Sequence, residues 1–171
     1  AVSSAVPDGS LLLKRTVYLG TDARLFFGGS YIRQRRLIGV DWGVEQDMLG
    51  NLAIADGTLP TGADHDGIVI STATAQQIGA RVGDDVLVSL STKSGQANTA
   101  RLIVRALFDE QSFFGYAGYL SRDRMNSLYG LEPGAISVLG VVVPDTHATE
   151  HVVSDVHAGV SERFTTAPIA T

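Results

Sequence analysis

The chain has 171 residues, 44% of them apolar, with a formal net charge of −5 and a pI near 5.2. That length suits one domain, or a core with a subdomain, burying about two-thirds of the unfolded surface. The acidic balance argues against a general nucleic-acid footprint, and the lack of cysteine removes disulfides, thiol nucleophiles, cysteine zinc sites and iron–sulfur clusters together.

No apolar run approaches the ~18–20 residues that cross a bilayer. The sequence opens without Met and without a basic-plus-apolar leader pattern, so an excised or processed domain is expected. Residues 1–10 begin AVSSAVPD, small and polar, and read as a linker. Leu11–Leu19 (LLLKRTVYL) and residues 24–40 read as long β segments, with a turn at Gly28-Gly29-Ser30 because glycine accepts positive φ. Arg33, Arg35 and Arg36 fall in the second segment, where alternate side chains point to opposite faces, and read as a solvated strand face. Residues 44–53 hold a helical turn, and residues 56–66, rich in Gly, Pro and Asp, a loop.

Residues 67–88, GIVISTATAQQIGARVGDDVLV, carry the clearest local order. A buried run, Ile68-Val69-Ile70, meets a cap at Ser71 or Thr72. A short helix then turns Ala75 and Ile78 inward and Ala73, Gln76 and Gln77 to water. Gly79 suits the left-handed C-cap position, Val82-Gly83-Asp84 a turn, and Val86-Leu87-Val88 a second strand, again a buried run. A hairpin of residues 86–90 and 102–108 is expected around the polar loop 91–100 (STKSGQANTA).

After a loop over 109–115, residues 116–120 read as a short strand. Ser121 or Arg122 opens a helix through Tyr129, which Gly130 ends. Residues 136–143 are a near-continuous β-branched run, the pattern of a strand buried on both faces. Pro144-Asp145 introduces a last helix over 146–159, and 164–169 a final strand. Strands interleaved with three short helices predict an α+β fold with a mixed β-sheet core.

The sharpest catalytic string is His147-Ala-Thr-Glu150-His151, a His-x-x-Glu-His pattern in which both histidines bind zinc from one helical face and Glu acts as base. It stands near a helix start, where Glu150 is also at home beside the positive end of the dipole. Only 20 residues follow it, His157 is off that face, and a downstream carboxylate ligand has no obvious place. A solvated helix face is the expectation. Asp64-His65-Asp66 offers hard and imidazole ligands, but no fourth or fifth ligand stands nearby. No Gly-x-Ser-x-Gly elbow exists, so no catalytic residue, metal or cofactor is expected.

The segment DEQSFFGYAGY places Phe113, Phe114, Tyr116 and Tyr119 around two glycines directly after a strand. Aromatics in such a loop make an apolar contact surface for lipid, peptide or a partner chain. Phe113 or Phe114 instead plugging the core, with Tyr119 in the next strand, is the plainer reading. Phe114, then Phe113 and Tyr116, are the candidate contact residues. Phe26-Phe27-Gly28-Gly29 carries the same ambiguity, and Trp42 and Met48 read as core rather than as an edge contact.

The ordered set of elements resembles the extracytoplasmic core domain of MacB/LolC/LolE/FtsX-type ABC-transporter permeases over roughly residues 30–160. The residues carrying the resemblance are Leu37-Ile38-Gly39-Val40-Asp41, the loop Ala55-Asp56-Gly57-Thr58-Leu59-Pro60, the strand–helix of residues 68–78, and Val82-Gly83-Asp84. They continue with Val104-Arg105-Ala106-Leu107-Phe108, where Ala106 replaces the usual glycine, then the strand–helix of residues 119–128, the strand of 136–143 and a closing helix.

The resemblance implies a MacB-like periplasmic core domain over residues 11–171, with a small subdomain or two lobes, and a linker from a membrane helix over residues 1–10. It also implies a place outside the cytoplasmic membrane, between the first and second of four membrane helices. A cytoplasmic ATPase subunit and a second permease copy or sister permease would be partners, and a lipoprotein, peptide or amphiphile the cargo. The chain lacks the phosphate-cradling Gly-x-x-x-x-Gly-Lys-Ser/Thr pattern, as that division of labour requires. The family's lipoprotein-releasing member carries a long, Pro-rich docking hook in the hairpin loop; residues 91–100 are short, polar and Pro-free, so the chain resembles the hookless members. The implied function is to couple ATP-driven motion to lipoprotein release, efflux or partner activation. The alternatives are a secreted zinc hydrolase using His147, Glu150 and His151, or a stand-alone extracellular adaptor.

Overall fold

The computed structural model describes residues 6–110, 117–144 and 149–161. Two units are distinguished, one of Ala1–Leu13 with Leu139–Thr171 and the other of Lys14–Val138. The second unit is built on a mixed sheet. Its elements in chain order are β1 (Leu11–Leu19, which begins in the first unit), β2 (Arg24–Phe27), β3 (Ser30–Arg33), β4 (Arg36–Val40), α1 (Trp42–Leu49), β5 (Ile54–Gly57), β6 (Gly67–Ser71), α2 (Thr72–Ile78), β7 (Asp85–Ser91), β8 (Ala97–Phe108), β9 (Ala117–Ser121) and α3 (Arg122–Tyr129). In space the strands run β1-β4-β9-β6-β8-β7-β2-β3, with β5 also on β8. β4 pairs with β9, and β6 with β8, in parallel; β6 and β9 run antiparallel. The expected α+β fold with a mixed sheet is therefore present.

The strand–helix–turn–strand read from residues 67–88 forms, with one correction: Val86-Leu87-Val88 is not a buried run, because strand alternation buries Val86 and Val88 and turns Leu87 outward, 45% exposed. All of β6 is buried, as a run of β-branched residues between two strand neighbours should be. Ser71 caps α2, its Oγ accepting from the Thr74 amide at 3.1 Å, and Gly79 closes it at φ 77°. The same logic repeats at α3, where Ser121 Oγ accepts from Arg124 N at 3.3 Å and Gly130 adopts φ 72°.

Elsewhere the structure corrects the sequence reading. The long segment 24–40 is three strands, broken a second time at Gln34-Arg35, where Gln34 is buried and its amide donates to Ala23 O at 2.9 Å. The helical turn of 44–53 is a full helix starting earlier, because Asp41 Oδ1 accepts from Gly43 N and Val44 N at 3.2 and 3.3 Å. The loop of 56–66 gives its first residues to β5. The hairpin loop 91–100 shrinks to residues 92–96, since polar Asn98 and Thr99 pair with Leu90 and Ser89 in the ladder.

The β-branched run of 136–143 is a shorter strand, β10 (Val138–Val142), beside the start of β1. It is not buried on both faces: Val138 and Val142 are 45% and 42% exposed. β-branching there reflects strand propensity rather than burial. The closing helix, α4, spans Thr149–Ser161, and its Val152 is buried.

Each face of the sheet in the larger unit carries a packed cluster. On one face α2 and α3 cover Leu25, Ile68, Ile70, Val86, Val88, Leu102 and Leu120, with Met125 and Leu128 contributed by α3 itself. On the other, Trp42 and Leu49 of α1 meet Ile38, Val40, Val69, Ala106 and Phe108. Strand β8 serves both clusters because its register against β6 slips: Ile68 faces Val104 but Val69 faces Ala106. Arg105 is the extra residue, a bulge that turns the rest of the strand over. Each fully buried Leu or Ile contributes roughly 1.5–3 kcal/mol, so the double use of β8 matters to the whole unit.

Asp22 clamps the turn between β1 and β2 to the end of β7. Its Oδ2 accepts from Ser91 N at 2.7 Å, and its Oδ1 accepts from the Tyr18 hydroxyl. The Ser91 bond first, and the Tyr18 bond second, hold the Asp22 carboxyl down to about 2. A carboxyl depressed on folding stabilises the fold above its ordinary pKa, 3.8, and that contribution is lost as pH falls toward about 2. Urea denaturation at steps from pH 5 to 2 is expected to show Asp22→Asn less stable than the parent at pH 5 and the two converging toward pH 2. A gap independent of pH would remove the ionised clamp.

Candidate functional site at the β8–β9 connection

Strand β8 ends at Phe108 and β9 begins at Ala117; the connection between them holds the aromatic cluster singled out above. Phe113, Phe114 and Tyr116 lie outside the described residues. Both ends of the connection are described, and both are tied down. Asp109 N donates to Ala53 O at 2.9 Å, and Asp109 Oδ1 accepts from Thr72 Oγ1 at 2.8 Å. Glu110 is the central anchor. One carboxylate oxygen meets Arg36 at 3.2 Å, and the other accepts from Ala117 N at 2.8 Å. Its side chain is 6% exposed, so removing Arg36 would strand a largely desolvated carboxylate, a heavier loss than at a surface pair. The carboxylate thus spans the mouth of the connection, from its first residues to the first amide of β9.

Tyr119 belongs to β9 and packs edge-on against Phe108, the centroids 5.7 Å apart at 65°. Burial, ahead of any neighbouring charge, pushes its hydroxyl pKa up. It is half-buried and packs against the α1-side core at the root of the connection. Phe27 packs against the α2/α3 core, Phe26 is half-buried on the opposite face, Trp42 is buried and Met48 half-buried. Of the basic cluster, Arg33 and Arg35 are exposed as expected, whereas Arg36 is engaged by Glu110.

The metal-like strings resolve differently. Asp64 pairs with Arg105 Nε at 2.6 Å and Asp66 with Arg124 at 3.2 Å. Both carboxylates are thus taken up by guanidinium groups. His147 lies outside the described residues; Glu150 and His151 fall within α4, their side chains outside what is described. Among the described residues no three His, Cys, Asp or Glu side chains gather where a metal ion could be held.

Sequence reasoning missed a small cleft of about 130 Å³ where the N-termini of α1 and α3 meet, lined by Asp41, Trp42, His65, Ser121, Arg122 and Asp123. It exists because parallel β4 and β9 are neighbours and each feeds a helix, and crevices form at such strand ends. Ser121 and His65 invite a nucleophile–base reading. The geometry denies it: Ser121 Oγ donates to the main-chain carbonyl of His65 at 3.1 Å and accepts from Arg124 N. The hydroxyl is spent on capping and on bracing a loop.

The fold is that of extracytoplasmic domains of ABC-type transporters. The extracellular domain of the noncanonic ABC-type transporter YknZ from Gram-positive bacteria superposes with a TM-score of 0.69 at 14% identity, covering 97% of this chain and 83% of that one. The periplasmic region of MacB from Actinobacillus actinomycetemcomitans matches with a TM-score of 0.63 at 14% identity, covering 94% of this chain and 72% of that one. No protein-family model matches the sequence, and no curated protein matches it. The MacB-like core-domain fold expected from residues 30–160 is thus the fold observed.

Proposed function

We propose that the chain is the non-catalytic extracytoplasmic domain of an ABC-transporter permease subunit, acting outside the cytoplasmic membrane. The observation that carries this reading is the match of nearly the whole chain, 97%, to the extracellular domain of a transporter at a TM-score of 0.69. In this role the domain couples motion driven by a cytoplasmic ATPase subunit, across a pair of permease copies or sister permeases, to lipoprotein release, efflux or activation of a partner. No helix among the described residues is long and apolar enough to cross a membrane, so the membrane helices of such a subunit would lie in flanking sequence.

The β8–β9 connection is the proposed contact for cargo or partner, through Phe113, Phe114 and Tyr116. Its support is the pairing of an aromatic-rich sequence with a braced base, since a contact loop gains affinity when its anchors are pre-organised. The test reads the parent gene through both ends of this segment and maps protease accessibility of its product. One membrane helix ahead of Ala1 and three after Thr171, with this segment outside, is the expected result. A product with only a leader ahead and no membrane helix after it overturns the permease reading.

A further inference from the structure

We propose that the outer face of β3, β2 and β7 is a docking surface for an acidic protein segment carrying an apolar side chain between carboxylates. The face is the one opposite the buried Leu25, Val86 and Val88. Phe26 stands directly across from Tyr31 on one side and Leu87 on the other, so the three form a single cross-strand row. Tyr31 is 59% exposed and Leu87 45%. The Phe26 and Tyr31 rings lie 5.6 Å apart, tilted by 38°. Aromatic and large aliphatic side chains gathered in this way are the usual centre of a protein contact.

The neighbouring row is where the choice of partner comes from. Arg24 is directly across from Arg33, with Ser89 on its other side. Like charges directly opposite each other in an antiparallel pair destabilise it. Among the described residues neither arginine has an ion-pair partner, although Arg101 on the adjoining strand is paired with Asp85 at 2.6 Å. Arg24 instead leans over Tyr31, 5.9 Å from the ring centroid. In a chain of net charge −5, a repelling arginine pair beside an exposed apolar row is a cost that bound carboxylates would relieve. Guanidinium forks take carboxylates in two-pronged fashion.

A pleated row spanning two strand spacings, ~10 Å, matches one element of a protein.

The 171-residue chain, ¹⁵N-labelled, is titrated with the hexapeptide Glu-Glu-Leu-Phe-Glu-Glu, with its Lys-for-Glu counterpart, and with phosphatidylglycerol/phosphatidylcholine vesicles. The acidic peptide is expected to shift amides of residues 24–33 and 85–89, with binding that weakens as salt rises. The basic peptide and the vesicles leave those amides unmoved. Arg33→Glu and Arg24→Glu are each expected to weaken peptide binding by about tenfold. Arg33→Glu also turns the repelling pair into an attracting one, so its melting temperature should hold or rise, separating lost binding from lost folding. Shifts elsewhere, no shifts, or the same amides moved by vesicles and not by peptide would each overturn the proposal.

Discussion

Alanine at position 57 is expected to cost about 3 kcal/mol or more of unfolding free energy. Gly57 ends β5 at φ 78°, and a Cβ there would overlap the carbonyl oxygen of Arg105 and come within 3.0 Å of Ala106 Cα. Both of these are backbone of β8 at the bulge, so movement of the third neighbour, Val82 Cγ2 at 3.0 Å, would not relieve the clash. Relief requires β5 to leave β8, and with it the cover over Ala106 and Phe108. The control is Gly83→Ala. Gly83 has φ 93° with nothing within 4 Å of its would-be Cβ, so conformational strain acts alone, at about 1 kcal/mol. Urea midpoints at constant m-value measure both. Equal losses at the two positions would show that the approach of β5 to the bulge is not close.

Arg15→Met is expected to be nearly as damaging, about 3 kcal/mol or more. Glu45 of α1 is fully buried at 0% exposure, and its Oε2 accepts from Arg15 Nε at 2.7 Å and lies 2.5 Å from a second guanidinium nitrogen. Removing the guanidinium leaves a carboxylate enclosed, with the Asp41 amide at 3.4 Å as its remaining described contact. The Arg15→Met/Glu45→Met double variant should recover most of the loss, because two apolar side chains replace a pair whose desolvation was itself costly. A double variant as unstable as the single one would mean that lost packing, and not a stranded charge, sets the effect.

What the sequence made legible was local. Ser71 and Gly79 bracket α2, and Ser121 and Gly130 bracket α3, because capping chemistry is written in single residues at fixed offsets. The start of α1 is hard to read because Gly43 lowers helix propensity and a charged Glu45 stands on the buried face, interrupting the apolar pattern of a helix that Asp41 opens. Burial of Glu45 depends on Arg15, a partner distant in sequence. The exposure of β10 was not legible because β-branching reports strand preference and does not distinguish a covered strand from an open one.

The site shows the same division. An aromatic-rich connection was visible after β8, but its brace, Glu110 to Arg36 and Ala117, joins residues that no local pattern relates. The row of Tyr31, Phe26 and Leu87 was invisible for a similar reason. Only the pairing register places a residue of β7 beside one of β2. Phe26 and Phe27 look equivalent in sequence, yet alternation sends one to each face.

The sheet's middle has a kinetic consequence. Arg36 of β4 pairs with Ala117 of β9, and β9 also pairs with β6, so the central ladders close between segments made far apart in time. As the chain emerges, β4 is complete long before its parallel partner exists, and its open edge must wait. Non-local, parallel pairing of this kind belongs to slow-folding topologies, in the range of milliseconds to seconds, where loop closure precedes any reward. The hairpins β2–β3 and β7–β8 can form early and locally. Productive folding is therefore gated by the arrival of residues 117–121, and a stalled or truncated chain lacking them would carry unpaired β4 and β6 edges, a direct route to aggregation.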